Sequence, residues 1–271
     1  MSDRKSSVYR LTESAILLAI AAVLSVVKLV DMPYGGSVTA CSMLPLLLIA
    51  YRHGTRRGLF TAFTYSLIQL LLGLDNFSYA TSFGAVIAIT VFDYLLAFFA
   101  LGLGGIFRQK FSQSTALGMA AVTTGVLRYL CHVISGCTVW AGLSVPTAEA
   151  LVYSLSYNAT YMLPEIVILT LGAVYVSRLI SLEGTGVSRA VIRREQGGTA
   201  ATVLSGIAYT VLFLTVVGAV IYIAPALQNT SSGELFFTGL AALNWLGITI
   251  FAAVGILIFT VLKLISRRTT Q

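Results

Sequence analysis

A short list of polar residues, set in otherwise apolar chain, has the types and spacing to do chemistry. Between residues 128 and 165 stand Arg128, His132, Asn158 and Glu165, interleaved with Tyr129, Trp140, Tyr153, Tyr157 and Tyr161. Asp93-Tyr94 interrupts an earlier apolar segment. An ionisable group inside hydrocarbon is costly unless it is paired or faces a wet cavity, so each of these is a functional candidate by position. His132 follows Arg128 by four residues, which puts both on one helix face. A lone histidine is more often a satisfied structural residue. With a guanidinium one turn away and aromatics at Tyr129 and Trp140, a ligand pocket is the better reading. Asp93 could simply neutralise Arg128, because a buried charge needs a partner, and such a pair is compatible with a pocket that shares it with a ligand. Tyr153, Tyr157 and Tyr161 form an i, i+4 ladder, of which two are expected to be core packing. Asn158 is the sharper signal: a buried carboxamide needs several hydrogen bonds, which the edge of a heteroaromatic base supplies. Pro164 removes an amide donor and is expected to kink its helix, with Glu165 anchoring the irregular backbone.

A pocket with aromatic faces, a carboxylate, an amide, an imidazole and Arg128 as its cation suits a planar, nitrogen-rich molecule. A positively charged ligand could lie over one of the aromatic faces. Polyphosphates fit poorly against a single guanidinium. The chain lacks a Gly-x-x-x-x-Gly-Lys-Ser/Thr loop, so it has no recognisable nucleotide motor. It also lacks His-Glu-x-x-His, Gly-x-Ser-x-Gly and clustered acidic metal motifs, which weighs against an enzyme. No metal and no cofactor is expected. Two other classes stay open: an intramembrane enzyme using Asp93 and His132 as acid and base, and a self-powered secondary carrier. The absence of a convincing inverted repeat weighs against the carrier.

The elements that position these residues follow from composition. Of 271 residues 57% are hydrophobic and only 10% charged, against about 25% charged in soluble domains, so the expected fold class is an all-α integral membrane protein. Apolar runs near 11–30, 37–52, 56–74, 83–106, 115–138, 150–177, 201–226 and 236–265 read as eight spans. All but two of the 17 Lys and Arg fall in alternate connections, the exceptions being Lys28 and Arg128. The positive-inside rule then places both termini in the cytoplasm, makes the +7 charge a topology signal and gives nucleic-acid binding no support. Asp93, Arg128, His132, Tyr153 and Asn158 thereby reach the same outer half of the bilayer. Cys41, Cys131 and Cys137 are read as small core residues. Thr12-Glu13 is expected to open the first helix, its carboxylate at the positive helix end. The small residues Ala15, Ala19 and Ala22 recur on that helix as a docking face or a packing stripe. A polar linker over 179–200 separates a six-helix bundle, 1–178, from a two-helix extension, 201–271. Helix 8 is expected to pack along Gly247 and Gly255.

Several ordered motifs resemble one family, over residues 8–178. They are Gly35-Gly36-Ser37-Val38-Thr39 before Ser42-Met43-Leu44-Pro45, Asp93-Tyr94-Leu95-Leu96-Ala97-Phe98, Arg128-Tyr129-x-x-His132-x-x-Ser135-Gly136, Trp140-Ala141, and Tyr153-Ser154-Leu155-Ser156-Tyr157-Asn158 through Tyr161-Met162-Leu163-Pro164-Glu165. Together they are similar to the thiamin-specific substrate-binding subunit (S-component) of energy-coupling factor vitamin transporters. The resemblance implies a six-helix bundle, here with two additional C-terminal helices, that binds thiamin from outside. It implies as partners a membrane coupling protein and two cytoplasmic ATPase subunits that power release. It also implies that Asp93 and Arg128 contact the aminopyrimidine with help from Tyr153 and Asn158, and that Trp140 stacks on a ring. His132 would lie beside the thiazolium, Tyr94 would serve the hydroxyl end, and the loop around Gly35–Ser37 would act as a lid. Ala15-x-x-x-Ala19 matches the family's docking motif for the coupling protein. Some relatives carry a tryptophan and a glutamate where this chain has Gly36 and Ala40. Phe77 and Tyr79 are weaker candidates. The nearest rival reading keeps the architecture and changes the ligand to a thiamin precursor or another nitrogen-rich vitamin.

Overall fold

The computed structural model describes residues 2–32, 35–142, 147–182, 188–189, 199–223, 226, 239 and 242–268. The described residues are largely helical. Helix α1, Ser2–Val26, leads into an antiparallel hairpin of β1, Lys28–Asp31, and β2, Ser37–Thr39. Helices α2, Leu44–His53, and α3, Thr55–Leu72, follow, then a 3-10 turn over Leu74–Tyr79. Next come α4, Phe83–Phe107, α5, Gln113–Gly142, and α6, Thr147–Leu179. A two-residue ladder pairs β3, Ile180–Ser181, with β4, Ser188–Arg189, before α7, Thr199–Ile223, and α8, Trp245–Arg268.

Among the described residues, six helices are long and apolar enough to cross a membrane: Ser7–Val26, Phe83–Phe107, Gln113–Val139, Ala148–Leu179, Val203–Ile223 and Trp245–Arg268. The eight expected spans therefore need correction at two places. The run 37–52 is not one helix. Its Val38 and Thr39 pair with β1 through the Gly35-Gly36 turn, and helix begins only at Leu44, with Pro45 in the first turn. What remains, α2, has ten residues, about 15 Å at 1.5 Å per residue. It is buried from Leu44 through Arg52, so it is a core helix wrapped by others. The run 56–74 becomes α3, which carries Arg56, Arg57 and Gln69 and is not among the six.

The expected opening of α1 at Thr12-Glu13 is also corrected, since helix extends back to Ser2. Thr12 Oγ1 donates to the Val8 carbonyl, one turn earlier. The Glu13 carboxylate meets Arg52 Nε at 2.5 Å and His53 Nε2 at 3.2 Å, at the C-terminal end of α2. Ala15 and Ala19 are exposed on the opposite side of this anchorage, along a helix that buries little of itself.

By contacts the chain divides into two compact units, Met1–Thr170 and Leu171–Gln271, the boundary falling inside α6. In the first, α3 and α4 cross where Gly102 leaves no room for a Cβ against the Leu59 backbone, the small-residue contact by which helices approach closely. In the second, α7 and α8 run antiparallel: Gly255 fits against Thr215, Lys263 Nζ donates to Ser205 Oγ at 2.8 Å, and Ser266 Oγ donates to the Ala201 carbonyl at 2.8 Å. The expected packing role of Gly255 is thus observed. Gly247 instead lies beside Asn244, whose side chain accepts from its amide at 2.9 Å.

Candidate functional site

The middle of α4 is not regular. Ile89–Leu96 winds as π-helix between an α-helical start and a 3-10 end. Such bulges re-aim side chains and frequently mark functional sites. Here the wide turn carries Asp93 and Tyr94. On α5, Arg128 and His132 follow at one-turn spacing with Ser135 beyond, and α6 brings Tyr157, Asn158 and Tyr161 opposite them. Gly136 leaves no room for a Cβ against Ser154 Oγ, so a glycine lets α5 and α6 close at this level.

All of these but Ser135 and Ser154 line one cavity of about 600 Å3, within the range of small-molecule sites. Its wall includes Asp93, Tyr94, Phe98, Arg128, His132, Tyr157, Asn158 and Tyr161, and its mouth is formed by Gly35–Ser37 of the hairpin, Ser25, Gln69 and the turn around Asn76. Five of the seven expected ligand residues therefore converge: Asp93, Tyr94, Arg128, His132 and Asn158. Tyr153 is off the cavity wall, its ring stacked on Tyr157 with centroids 6.2 Å apart. Trp140 stands near the end of α5, and its side chain lies outside the described residues.

The polar groups are linked in a chain. His132 Nδ1 lies 2.8 Å from Asp93 Oδ1, and Ser135 Oγ donates to Asp93 Oδ2 at 2.8 Å. An Arg128 terminal nitrogen lies 3.4 Å from His132 Nε2. The other contacts the Met43 sulfur, and the guanidinium sits 4.5 Å from the centre of the Phe98 ring. Among the described residues, Arg128 Nε has no hydrogen-bond partner. Direct neutralisation of Arg128 by Asp93, one of the two readings left open above, is not what is found: an imidazole stands between them. Both N–H groups of Asn158 are engaged, with the Ser154 carbonyl at 2.8 Å, Ser154 Oγ at 3.1 Å and the His132 carbonyl at 3.3 Å, and its Oδ1 accepts from Tyr161 at 2.5 Å with one lone pair to spare.

Two residues hold the mouth. The Tyr94 hydroxyl donates to the Gly73 carbonyl at 2.9 Å and accepts from Asn76 Nδ2 at 2.7 Å, so it fixes the 3-10 turn. Phe77 stacks on the Tyr94 ring at 6.4 Å, and Tyr79 lines the cavity. Glu165, next to Pro164, accepts from the Thr39 amide at 2.7 Å and from Thr39 Oγ1 at 2.6 Å, which ties α6 to β2. It is an anchor that does not line the cavity, but it holds β2 and not, as expected, the backbone at Pro164. Gly36 packs over Tyr161 so closely that a Cβ would lie 2.5 Å from Cε1. A tryptophan at that position has no space here.

Sequence reasoning left Met43 and Phe98 as motif members without a role, and missed Asn76 and the Ser25–Gln69 hydrogen bond of 2.8 Å at the mouth. Ser135 was visible as a motif member, three residues after His132, without a role. Phe98 lies five residues from Asp93, a spacing that shares a face only once the helix is π-wound.

A family model described as "Thiamine transporter protein" matches residues 11–181, a range that contains every residue of the cavity wall and mouth. The chain is also similar to the thiamine transporter ThiT of Bacillus subtilis (strain 168), with 34% identity over 178 residues, covering 61% of this chain and 88% of that protein.

Proposed function

The chain belongs to the thiamine transporter protein family, and from that premise we propose that it is the thiamin-binding S-component of an ATP-driven energy-coupling factor importer. It is a membrane transporter and not an enzyme. The observation that carries the pocket assignment is the convergence of Asp93, Tyr94, Arg128, His132 and Asn158 on one cavity formed by residues inside the family match. The aminopyrimidine lies between the Asp93 acceptor and the Arg128 donor, with Asn158 closing its edge and Tyr153 supporting Tyr157 from behind. Trp140 stacks on a ring, His132 flanks the thiazolium, and Tyr94 holds the mouth near the hydroxyl end. The hairpin around Gly35–Ser37 is the lid.

Both termini face the cytoplasm, a reading supported by the distribution of Lys and Arg. Residues 1–178 form the binding bundle, 179–200 a cytoplasmic linker, and 201–271 two additional transmembrane helices beyond the family match. Ala15 and Ala19, exposed on α1, dock a membrane coupling protein, which with two cytoplasmic ATPases drives release.

Thiamin titration of the detergent-purified chain, followed by tryptophan fluorescence, tests the reading. Saturable quenching at submicromolar thiamin is expected, with little response to thiamin diphosphate at equal concentration. Folded protein silent at millimolar thiamin overturns it. ATP-driven uptake is expected only with coupling and ATPase subunits present, and uptake into liposomes by this chain alone overturns the partner assignment.

A further inference from the structure

The motif His132-x-x-Ser135-Gly136 contains a residue that the thiamin reading leaves without a task. Ser135 is fully buried, yet its hydroxyl is spent on Asp93 Oδ2 at 2.8 Å while His132 Nδ1 takes Oδ1 at 2.8 Å. The two side chains are three residues apart on α5 and so share a face. Arginine can only donate, so its approach to His132 Nε2 leaves the lone pair on that nitrogen and the ring proton on Nδ1, pointing at Asp93. Each carboxylate oxygen thus receives one hydrogen bond from the protein, and the side chain of Asp93 still has 28% of its surface exposed, on the cavity wall.

We propose that Ser135 is a positioning residue: with His132 it clasps the Asp93 carboxylate in one orientation, so that the pocket selects ligands presenting a hydrogen-bond donor on the ring edge that meets it. The proposal rests on the thiamin reading above. Each carboxylate oxygen has two lone-pair sites, and one on each oxygen remains for a ligand. Thiamin has two donor groups only, the exocyclic amine of its pyrimidine and its terminal hydroxyl. The Tyr94 hydroxyl and Asn76 occupy each other at the mouth, so the deep carboxylate is the natural acceptor for the amine. Held from both oxygens, it cannot rotate to accommodate a ring whose amine is replaced by an oxo group. That analogue would set acceptor against acceptor, the arrangement by which polar sites reject near-isosteres most strongly. Without Ser135 one oxygen is freed, the carboxylate turns, and discrimination falls.

The test is titration of thiamin and oxythiamin, in which oxo replaces the pyrimidine amine, against wild type, Ser135→Ala, Asp93→Asn and the double variant. Ser135→Ala is expected to weaken thiamin binding about tenfold, the scale of one hydrogen bond to a charged group, while oxythiamin changes by less than about twofold. In the Asp93→Asn background, Ser135→Ala should alter thiamin affinity by less than about twofold, because its effect runs through that carboxylate. Ser135→Cys keeps the volume with a weak donor and should fall between; it also carries the test if the alanine variant fails to fold. Equal loss for both ligands, or additive effects with Asp93→Asn, overturns the clasp, since a packing role moves both ligands alike. A wild-type protein that binds thiamin no better than oxythiamin overturns the clasp alone. Folded wild type that binds no thiamin overturns the thiamin reading, and the clasp with it.

Discussion

Arg128 brings a positive charge into the bundle, and none of the ion pairs among the described residues includes it. Among the described residues its polar and ring contacts are a thioether, an imidazole and the face of Phe98, and Nε has no hydrogen-bond partner. A buried charge so weakly compensated costs stability, and a hydrophobic side chain of similar volume is often better by about 1–4 kcal/mol. Arg128→Met is therefore expected to raise the thermal unfolding temperature of the ligand-free protein and to weaken thiamin binding by more than tenfold, about 1.4 kcal/mol or more. Thermal unfolding with and without thiamin measures both. A variant less stable than wild type, with intact affinity, would remove Arg128 from the site. The residue types of the site were legible in sequence because polar groups stand out against hydrocarbon. Their pairing was not. Whether Asp93 meets Arg128 directly or through His132 depends on where the π-turn of α4 aims it, and no spacing rule fixes that.

At the scale of elements, α1 is the most lightly held helix of the first unit, with most of its apolar residues exposed. Its polar attachments lie at mid-helix and toward its C-terminal end: Glu13 to Arg52 and His53, the Ala21 carbonyl to the Tyr65 hydroxyl, and Ser25 to Gln69. The side chains of Arg52 and His53 are only 3% and 6% exposed. Removing one partner of a buried ion pair typically costs about 3–5 kcal/mol, because the other charge stays buried. Glu13→Ala should accordingly lower thermal stability strongly while leaving the cavity wall untouched; thiamin affinity within threefold of wild type, measured on folded protein at low temperature, checks the second half. Unchanged stability would show that the Glu13 contact does not hold α1. The sequence placed Glu13 at a helix start, where it would have had a local role. Helix extends a further ten residues toward the N-terminus, and the carboxylate turns out to serve a contact with α2 that is remote in sequence.

For the whole molecule, every residue lining the cavity belongs to the first compact unit. A chain ending at Leu182 should bind thiamin with unchanged affinity, by the same fluorescence titration. A loss greater than tenfold in a folded, truncated protein would assign α7 and α8 a part in the site. Composition and hydropathy alone determined that this is a helical membrane protein, because backbone polar groups in lipid must be satisfied within a helix or closed barrel. Ordered motifs determined the family and the wall residues Asp93, Arg128, His132 and Asn158. Tertiary structure decided what periodicity could not. The apolar run 37–52 divides into a strand and a buried ten-residue helix, because a Gly-Gly turn pairs Val38 with Val30 and Glu165, far along the chain, captures Thr39. The donors of Asn158 are spent within the protein, and Tyr153 stands behind the wall, because packing of α5 on α6 sets which face of a uniformly apolar helix turns inward. An alternation of polar and apolar residues reports that face in water. In a bilayer both faces are apolar, and only the contacts between helices choose.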